Sequence, residues 1–296
     1  MTTYDLTLNI RYAFSPPAGG GRQHLRILPA ALPLQQEVRN IQLAITPPPQ
    51  DRRDFTDFFG TRVIEIALPG GLTDFTLTLT AEVDRRLPAP SLDVSPALTD
   101  LGAEISAHGG LDAGAPHHFL AASPRIPPDP AIAEFARQAT QGAATVRAAI
   151  IALGEALHQA MTFDAAATEV DTQPDQAFAQ RRGVCQDFAQ IMIAGLRALG
   201  IPAAYVSGYL RTDPFPGQPR LVGADAMHAW VQVWTGLDGG WLDYDPTNAC
   251  LAGEGHIRIG FGRDYGDIAP VSGMLRLGGG QTGGHNVDLV EIVRPA

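Results

Sequence analysis

The sequence has few charges, few cysteines and no long apolar run, and each shortage argues against a class of protein. Only 18% of the 296 residues are charged, and 31 acidic against 21 basic residues give a net charge of −10. An acidic surface repels nucleic-acid phosphates, so we expect no nucleic-acid partner. No stretch reaches the ~18 apolar residues that span a bilayer, so we expect no membrane segment. Two cysteines, Cys185 and Cys250, cannot form a disulfide framework.

The first residues also lack the marks of a secretory signal. Residues 1–11 have no basic region, apolar stretch or cleavage site, and they alternate as in a strand. We therefore expect a cytoplasmic protein with free thiols. The apolar fraction of 45%, together with 32 glycines and 24 prolines, indicates a globular chain rich in strands and loops. Its length suggests about two domains.

A period of two dominates the first part of the chain. The alternating stretches are 4–12, 41–45, 61–67 and 74–83. Turns rich in glycine and proline separate them, which predicts an antiparallel, sandwich-like β domain over 1–86. Residues 87–128 contain many prolines and little periodicity, which predicts a linker or a meandering surface segment.

Helical periodicity precedes a second set of strands in the rest of the chain. Helices are predicted over 129–139, 143–161, 173–181 and 185–199. Strands are predicted over 203–210, 229–234, 241–245 and 287–293, with a polar surface loop at 213–223. Helices followed by strands predict an α+β domain over 129–296.

Three short motifs resemble functional sites, but their surrounding sequence does not support that function. The glycines within 278–283 match a dinucleotide-binding GxGxxG pattern, but a predicted strand follows them instead of the required helix. His117 and His118 lack metal-site spacing, and Ser207 lies in an apolar strand rather than a GxSxG turn. We therefore expect no cofactor, no metal site and no serine nucleophile.

Cys185 lies at the start of the most apolar predicted helix. The partial positive charge at a helix N-terminus lowers the pKa of a thiol there, and the thiolate is the nucleophilic form. Unpaired N–H groups of the first turn can also donate to an oxyanion beside the sulfur. Gly183 would let a substrate backbone approach. A free cysteine is more often a small buried apolar residue, so the prediction depends on partners elsewhere in the chain.

Two candidate partners lie on a predicted hairpin. His228 begins one strand and Asp245 ends the next, so antiparallel pairing brings both to the same end of the hairpin. His228 would take the thiol proton and later protonate a leaving amine. Asp245 would accept a hydrogen bond from the other ring nitrogen and fix the tautomer. Asp243 points to the same strand face and is the alternative third member.

Several segments resemble the bacterial transglutaminase-like cysteine peptidase family. They are GVCQDFA at 183–189, LRALGIPA at 196–203, YVSGYL at 205–210, HAW at 228–230, DPTN at 245–248 and GRDY at 262–265. HLRILP at 24–29 and DFFG at 57–60 are similar to the β-rich domain that precedes the core in this family. The resemblance implies a papain-like core of helices on an antiparallel sheet, with Cys185 as nucleophile and His228 as base. It favours Asp245 over Asp243 as the orienting residue.

Other positions have two interpretations or depart from the family pattern. Gln190 stands where relatives often have His, and Met227 stands where Ser is common, so both could alter the pocket. Gln186 could line an oxyanion site or be exposed at the helix start. Trp230 could shield the ion pair from water or be an ordinary core residue, and Tyr265 could edge the cleft.

The predicted function is that of a cysteine-dependent hydrolase or acyltransferase acting on a peptide, protein or other amide through a thioester. Water as second substrate gives peptidase or amidase activity, whereas an amine gives transglutamination; the resemblance favours hydrolysis. One alternative is a non-catalytic peptide-binding module on the same fold. Another is a redox protein in which Cys185 and Cys250 form a disulfide, although Cys250 is otherwise predicted to be structural.

Overall fold

The computed structural model describes residues 1–87, 92–212 and 225–292. Its N-terminal part contains strands β1 (Thr2–Ala18), β2 (Gly21–Leu25), β3 (Gln36–Thr46), β4 (Asp51–Thr56), β5 (Arg62–Leu68) and β6 (Leu72–Arg85). The predicted alternation is confirmed: on β1, Leu6, Leu8 and Ile10 are buried, and intervening residues are more exposed. These strands belong to two antiparallel sheets that enclose one hydrophobic core.

Helices come next along the chain. They are α1 (Leu98–Ala107), α2 (Pro130–Ala139), α3 (Val146–Ala160), α4 (Pro174–Gln180) and α5 (Cys185–Ala198), with a 3₁₀ turn at Pro116–Phe119. The two-residue strands β7 (Thr162–Phe163) and β8 (Arg182–Gly183) pair in parallel just before α5. Asp129 and Thr145 cap α2 and α3, because their side chains accept from backbone N–H groups of the first turn. The four predicted helices are therefore present.

The strands that follow form a separate five-stranded antiparallel sheet. They are β9 (Ala203–Leu210), β10 (Ala226–Trp234), β11 (Trp241–Asp245), β12 (Cys250–Leu251) and β13 (His256–Gly262), followed by a short helix α6 (Tyr265–Ile268). The strand order is β12-β11-β10-β9-β13. Helix α5 is buried along most of its length and packs on β9 and β10. This arrangement confirms the α+β prediction; β13 was not predicted.

The chain then returns to the N-terminal sandwich. Strand β14 (Val271–Leu275) pairs with β2, and β15 (Gly280–Glu291) pairs with β1 without a register shift. The sheet orders are β15-β1-β6-β3 and β14-β2-β5-β4. The predicted core, 129–296, therefore includes two strands that complete the first domain. Local alternation predicts a strand but not its partner.

The segment predicted as a linker has structure of its own. Leu101 and Ile105 of α1 are buried in the same core as α5. The guanidinium of Arg197 donates to the carbonyl of Phe119 at 3.0 Å and to the hydroxyl of Ser123 at 3.2 Å. The prediction of a linker or a meandering surface segment is wrong for α1, which gives a weak periodic signal because only two of its residues are buried.

Two further predictions concern a loop and membrane spans. The predicted loop at 213–223 lies outside the described residues. Within the part of the chain that the structure describes, none of the helices combines the length and apolarity needed to span a bilayer.

Candidate active site

Helix α5 starts at Cys185, which is half-buried. Asp187 caps this helix: its Oδ2 accepts the N–H of Val184 at 2.8 Å and the hydroxyl of Thr168 at 2.6 Å. Burial raises the pKa of the Asp187 carboxyl, against the effect of these two hydrogen bonds. A Cβ at Gly183 would lie 2.6 Å from Asp187 Oδ2. Gly183 thus makes room for the cap, and the approach of a substrate backbone at this residue stays a prediction.

His228 and Asp245 meet as the predicted hairpin requires. His228 lies near the start of β10, and the ladder between β10 and β11 extends to the pair Val231 and Tyr244. Asp245 follows directly, and its Oδ2 lies 2.8 Å from Nε2 of His228. Both side chains are buried. Since Nε2 donates to the carboxylate, Nδ1 is the ring nitrogen left for Cys185.

The electrostatics of His228 favour its charged form. Burial opposes a charge there, but hydrogen bonds with Asp245 and Cys185 overcome this and raise the pKa of His228 to about 10. The imidazole binds the carboxylate of Asp245 and lines the same cleft as the thiol of Cys185. This is the connectivity of a nucleophile, its base and an orienting group.

Asp245 is the centre of a hydrogen-bond network. Its Oδ2 accepts from His228, from the Asn248 amide at 2.7 Å and from Nε2 of His256 at 3.1 Å. Its Oδ1 accepts from the backbone N–H groups of Thr247 and Asn248 at 2.9 and 3.2 Å. Burial opposes the charge of the carboxylate, but the hydrogen bonds from the two histidines and Asn248 prevail and hold the pKa of Asp245 far below its usual range.

His256, which begins β13, is a site residue that was not predicted from the sequence. Its Nδ1 accepts the backbone N–H of Gly253 at 2.9 Å, so the ring proton lies on Nε2 and is donated to Asp245. The alternation of Ile257, Ile259 and Phe261 is a signal that could have predicted this strand and placed His256 at its start.

One ring nitrogen of His228, one of His256 and a carboxylate oxygen of Asp245 lie within 4.8 Å of one another, which is the spacing of a metal site. His256 does not suit a metal, however. Because its Nδ1 accepts from Gly253, the neutral ring carries its proton on Nε2 and has no lone pair there for a cation. The donor set is therefore organised as a hydrogen-bond network around Asp245.

Trp230 covers this network. Its ring lies 5.3 Å from that of His256 and 6.2 Å, nearly parallel, from that of His228. A Cβ on Gly208 would lie 2.5 Å from the indole, so a glycine is needed beneath it. The indole N–H donates to Asp243 at 3.0 Å, and Asp243 also pairs with Arg258. Asp243 thus binds Trp230 and Arg258, whereas Asp245 binds His228.

The remaining predicted residues divide between the cleft and its surroundings. Gln186 is buried, and its amide donates to the carbonyl of Val170 at 2.9 Å, so it is not an exposed residue of the helix start. Tyr265 lies against the ring of Tyr205 at 6.1 Å. Gln190 is buried, and its Oε1 has no hydrogen-bond partner among the described residues. Cys250 is a half-buried free thiol on β12, paired through its backbone with Asp245.

A cleft of about 420 Å³ opens above Cys185 and His228. The core domain contributes Gln186, Met227 and Tyr265 to its walls. The N-terminal sandwich contributes the opposite wall, formed by Ile10, Tyr12, Gly283, Gly284 and His285. The candidate site therefore lies between the two domains, and β15 forms part of its rim.

Two family models and several relatives match this chain. Residues 133–246 match the transglutaminase-like superfamily, and residues 4–84 match the bacterial transglutaminase-like N-terminal region. An uncharacterised protein of Mycobacterium tuberculosis is 36% identical over 247 residues, covering 82% of this chain and 78% of its own. One from Mycobacterium leprae is 31% identical over 266 residues, covering 89% of each chain.

Two further relatives have more descriptive names. A protein-glutamine gamma-glutamyltransferase of Pseudomonas aeruginosa is 42% identical over 89 residues, which are 30% of this chain and 13% of that protein. The crystal structure of a candidate cysteine protease from Cytophaga hutchinsonii superposes with a TM-score of 0.73 at 22% identity. It covers 100% of this chain and 92% of its own, and at that identity the likeness shows the fold alone.

Proposed function

This chain belongs to the transglutaminase-like superfamily, and we propose that it is a cysteine-dependent enzyme that cleaves amides through a thioester on Cys185. One observation carries the proposal: His228 is bound at 2.8 Å to the buried carboxylate of Asp245, and His228 and Cys185 line the same cleft. Members of the superfamily are generally enzymes, which supports catalysis over simple peptide binding.

The proposed first step forms the acyl-enzyme. The Cys185 thiolate attacks the amide carbonyl carbon, and the carbonyl oxygen becomes an oxyanion. Among the described residues the N–H of Cys185 has no hydrogen-bond partner, so it can donate to that oxyanion. The intermediate collapses as the C–N bond breaks, and the proton on Nδ1 of His228 passes to the leaving nitrogen. Ammonia or an amine departs, and a thioester remains.

The second step decides between hydrolysis and transamidation. Water or an amine gives its proton to the neutral His228 and attacks the thioester, and the Cys185 thiolate leaves. We favour hydrolysis, because the half-buried Cys185 lines a cleft whose other lining residues include the exposed Gly283 and Gly284, so that water has access to this cleft. The local similarity to a protein-glutamine gamma-glutamyltransferase favours transamidation as the second candidate.

A product analysis with the purified protein tests the proposal. A peptide with a central glutamine is incubated with and without methylamine, and mass spectrometry identifies cleaved, deamidated and methylamidated products. We expect hydrolytic product that the Cys185→Ala variant does not form. The matched control is Cys250→Ala, which removes the other thiol, outside the cleft, and should retain activity. Product formation that survives Cys185→Ala would overturn the assignment.

A further inference from the structure

We propose that the outer edge of β15 binds the acyl-donor substrate as an added β-strand, so that the substrate is an extended polypeptide and not a small amide. This inference rests on the proposed function, because it concerns what reaches Cys185. Strand β15 is the terminal strand of its sheet, paired on one side with β1. Three of its residues, Gly283, Gly284 and His285, line the cleft that contains Cys185 and His228.

The register shows which backbone groups of β15 point outward. Ile292 donates its N–H to Thr3 at 2.8 Å, and the pairing runs without a shift to Gly280. In an antiparallel ladder, hydrogen-bonded and non-hydrogen-bonded pairs alternate. Counting from Thr3, Gly283 and His285 lie at non-hydrogen-bonded positions, and their N–H and C=O groups therefore point away from β1.

A second contact supports this count. The N–H of Leu289 lies at the same parity, and it donates to the carboxylate of Asp225 at 2.5 Å instead of to β1. Asp225 also forms an isolated antiparallel bridge with Val287. The C-terminal half of the outer edge is thus occupied. Within the described residues, no strand pairs with the outer edge of the half that contains Gly283 and His285.

The open half has the properties of a strand-binding edge. Residues 280–286 are exposed and contain no lysine, proline or bulge of the kind that protects edge strands. A Cβ at Gly283 would lie 2.7 Å from the Tyr12 ring, and a Cβ at Gly284 would meet open space. Gly283 and Gly284 therefore carry no side chain that could block an incoming chain where the strand borders the cleft.

Continuity with the cleft identifies the occupant. Gly283, Gly284 and His285 line the same cavity as Cys185 and His228, so a strand added here would run past the nucleophile. An extended chain supplies the alternating N–H and C=O groups that a sheet edge recognises, and it points every second side chain to the same side. A free amino acid amide cannot make these contacts. The edge therefore fits a polypeptide acyl donor.

Paired alkylating reagents test the inference on the full chain. One is iodoacetamide; the other is an alanine–serine peptide that carries the same iodoacetamide group on a central side chain. We expect the peptide reagent to alkylate Cys185 of the wild-type protein about tenfold faster or more, as expected when backbone hydrogen bonds are added. In His285→Pro this advantage should fall by about tenfold, because proline lacks the outward N–H.

The matched control is His285→Ala, which keeps the N–H and removes only the imidazole; it should retain the advantage. An equal peptide advantage in His285→Pro and wild type would overturn the inference, and so would no advantage in wild type. If His285→Pro does not fold, peptides N-methylated at successive amides replace it. We then expect a loss at every second position, and a uniform response contradicts strand addition.

The two proposals fail in different ways. If alkylation by iodoacetamide itself does not depend on His228, the proposed function fails. If it depends on His228 but the peptide gives no advantage, only the strand-binding inference fails.

Discussion

The starts of β10 and β13 each place a buried histidine on Oδ2 of Asp245, His228 at 2.8 Å and His256 at 3.1 Å. The two rings differ in the group that faces Nδ1, the ring nitrogen that does not bind Asp245. For His228 it is the Cys185 thiol, a group that can lose and regain a proton. For His256 it is the backbone N–H of Gly253, which fixes one tautomer.

This difference shows how one carboxylate can serve two histidines in different ways. His228 is placed to move a proton between Cys185 and a substrate in the cleft, while Asp245 holds and orients its ring. His256 is placed to hold Asp245, and it does not line the cleft. We therefore regard His256 as a positioning residue. The same residue type at nearly the same distance has a different role because its other partner differs.

Removing the Cys185 thiol, which faces His228 but not His256, should have the largest effect on turnover. Cys185→Ala should abolish turnover, while the free energy of unfolding should change by less than about 2 kcal/mol, because one small side chain replaces another. Steady-state kinetics and urea denaturation measure the two quantities. Measurable turnover in this variant would mean that the nucleophile lies elsewhere.

Changing the shared carboxylate should affect both histidines. Asp245→Asn should lower turnover about 10²- to 10⁴-fold, because an amide nitrogen facing His228 disfavours the required tautomer. Kinetics with the glutamine peptide measure this effect. Asp243→Asn is the matched control, since Asp243 binds Trp230 and Arg258 and not His228. An active Asp245→Asn beside an inactive Asp243→Asn would exchange their assignments.

Removing the positioning histidine should have a smaller effect. His256→Phe should lower kcat about 10- to 100-fold, since Asp245 and His228 lose part of their alignment. The KM for the glutamine peptide should stay constant because His256 lies outside the cleft. His256→Gln keeps an N–H donor and should restore most of the activity. A change confined to KM would contradict a positioning role.

The protonation of His228 should have a gradual effect on stability. Its pKa in the folded protein is about 10, above the value of about 6.5 for an unperturbed histidine. The stabilisation is therefore complete below about pH 6.5 and is lost as the pH rises to about 10. Urea denaturation across this range should show a decline that is absent in His228→Ala.

A titration separates the two contributions to this pKa. In Cys185→Ala the pKa of His228 should fall, because the hydrogen bond with the thiol is lost, and NMR of the ring protons measures it. An unchanged pKa would mean that Asp245 alone holds the charge on His228.

Much of the fold could be predicted because local periodicity reports local structure. The alternation within β1 and the apolar stripe of α5 both correspond to elements of the structure. The partner of β15 could not be predicted, since its pairing with β1 joins opposite ends of the chain. Helix α1 was missed because only Leu101 and Ile105 are buried.

The candidate site divides in the same way. Cys185, His228 and Asp245 could be brought together from a helix start and a hairpin, which are local features. His256 lies on β13, and in the sheet order β9 and β10 separate β13 from β11, the strand that carries Asp245. The contact between His256 and Asp245 therefore depends on the order of the strands in the sheet, which local sequence patterns do not show. The role of Gly183 also depended on contacts, because the sequence does not show that the Asp187 side chain occupies the space beside it.

The rate at which iodoacetamide alkylates Cys185, measured from about pH 5 to about pH 9, tests the central claim most directly. The protein carries Cys250→Ala, so that Cys185 is the single thiol, and it is compared with the same protein carrying His228→Ala. We predict rapid alkylation at neutral pH that depends on His228, whereas without His228 the rate at neutral pH should fall and its rise should move to higher pH. Identical pH profiles for the two proteins would contradict a functional pair of Cys185 and His228.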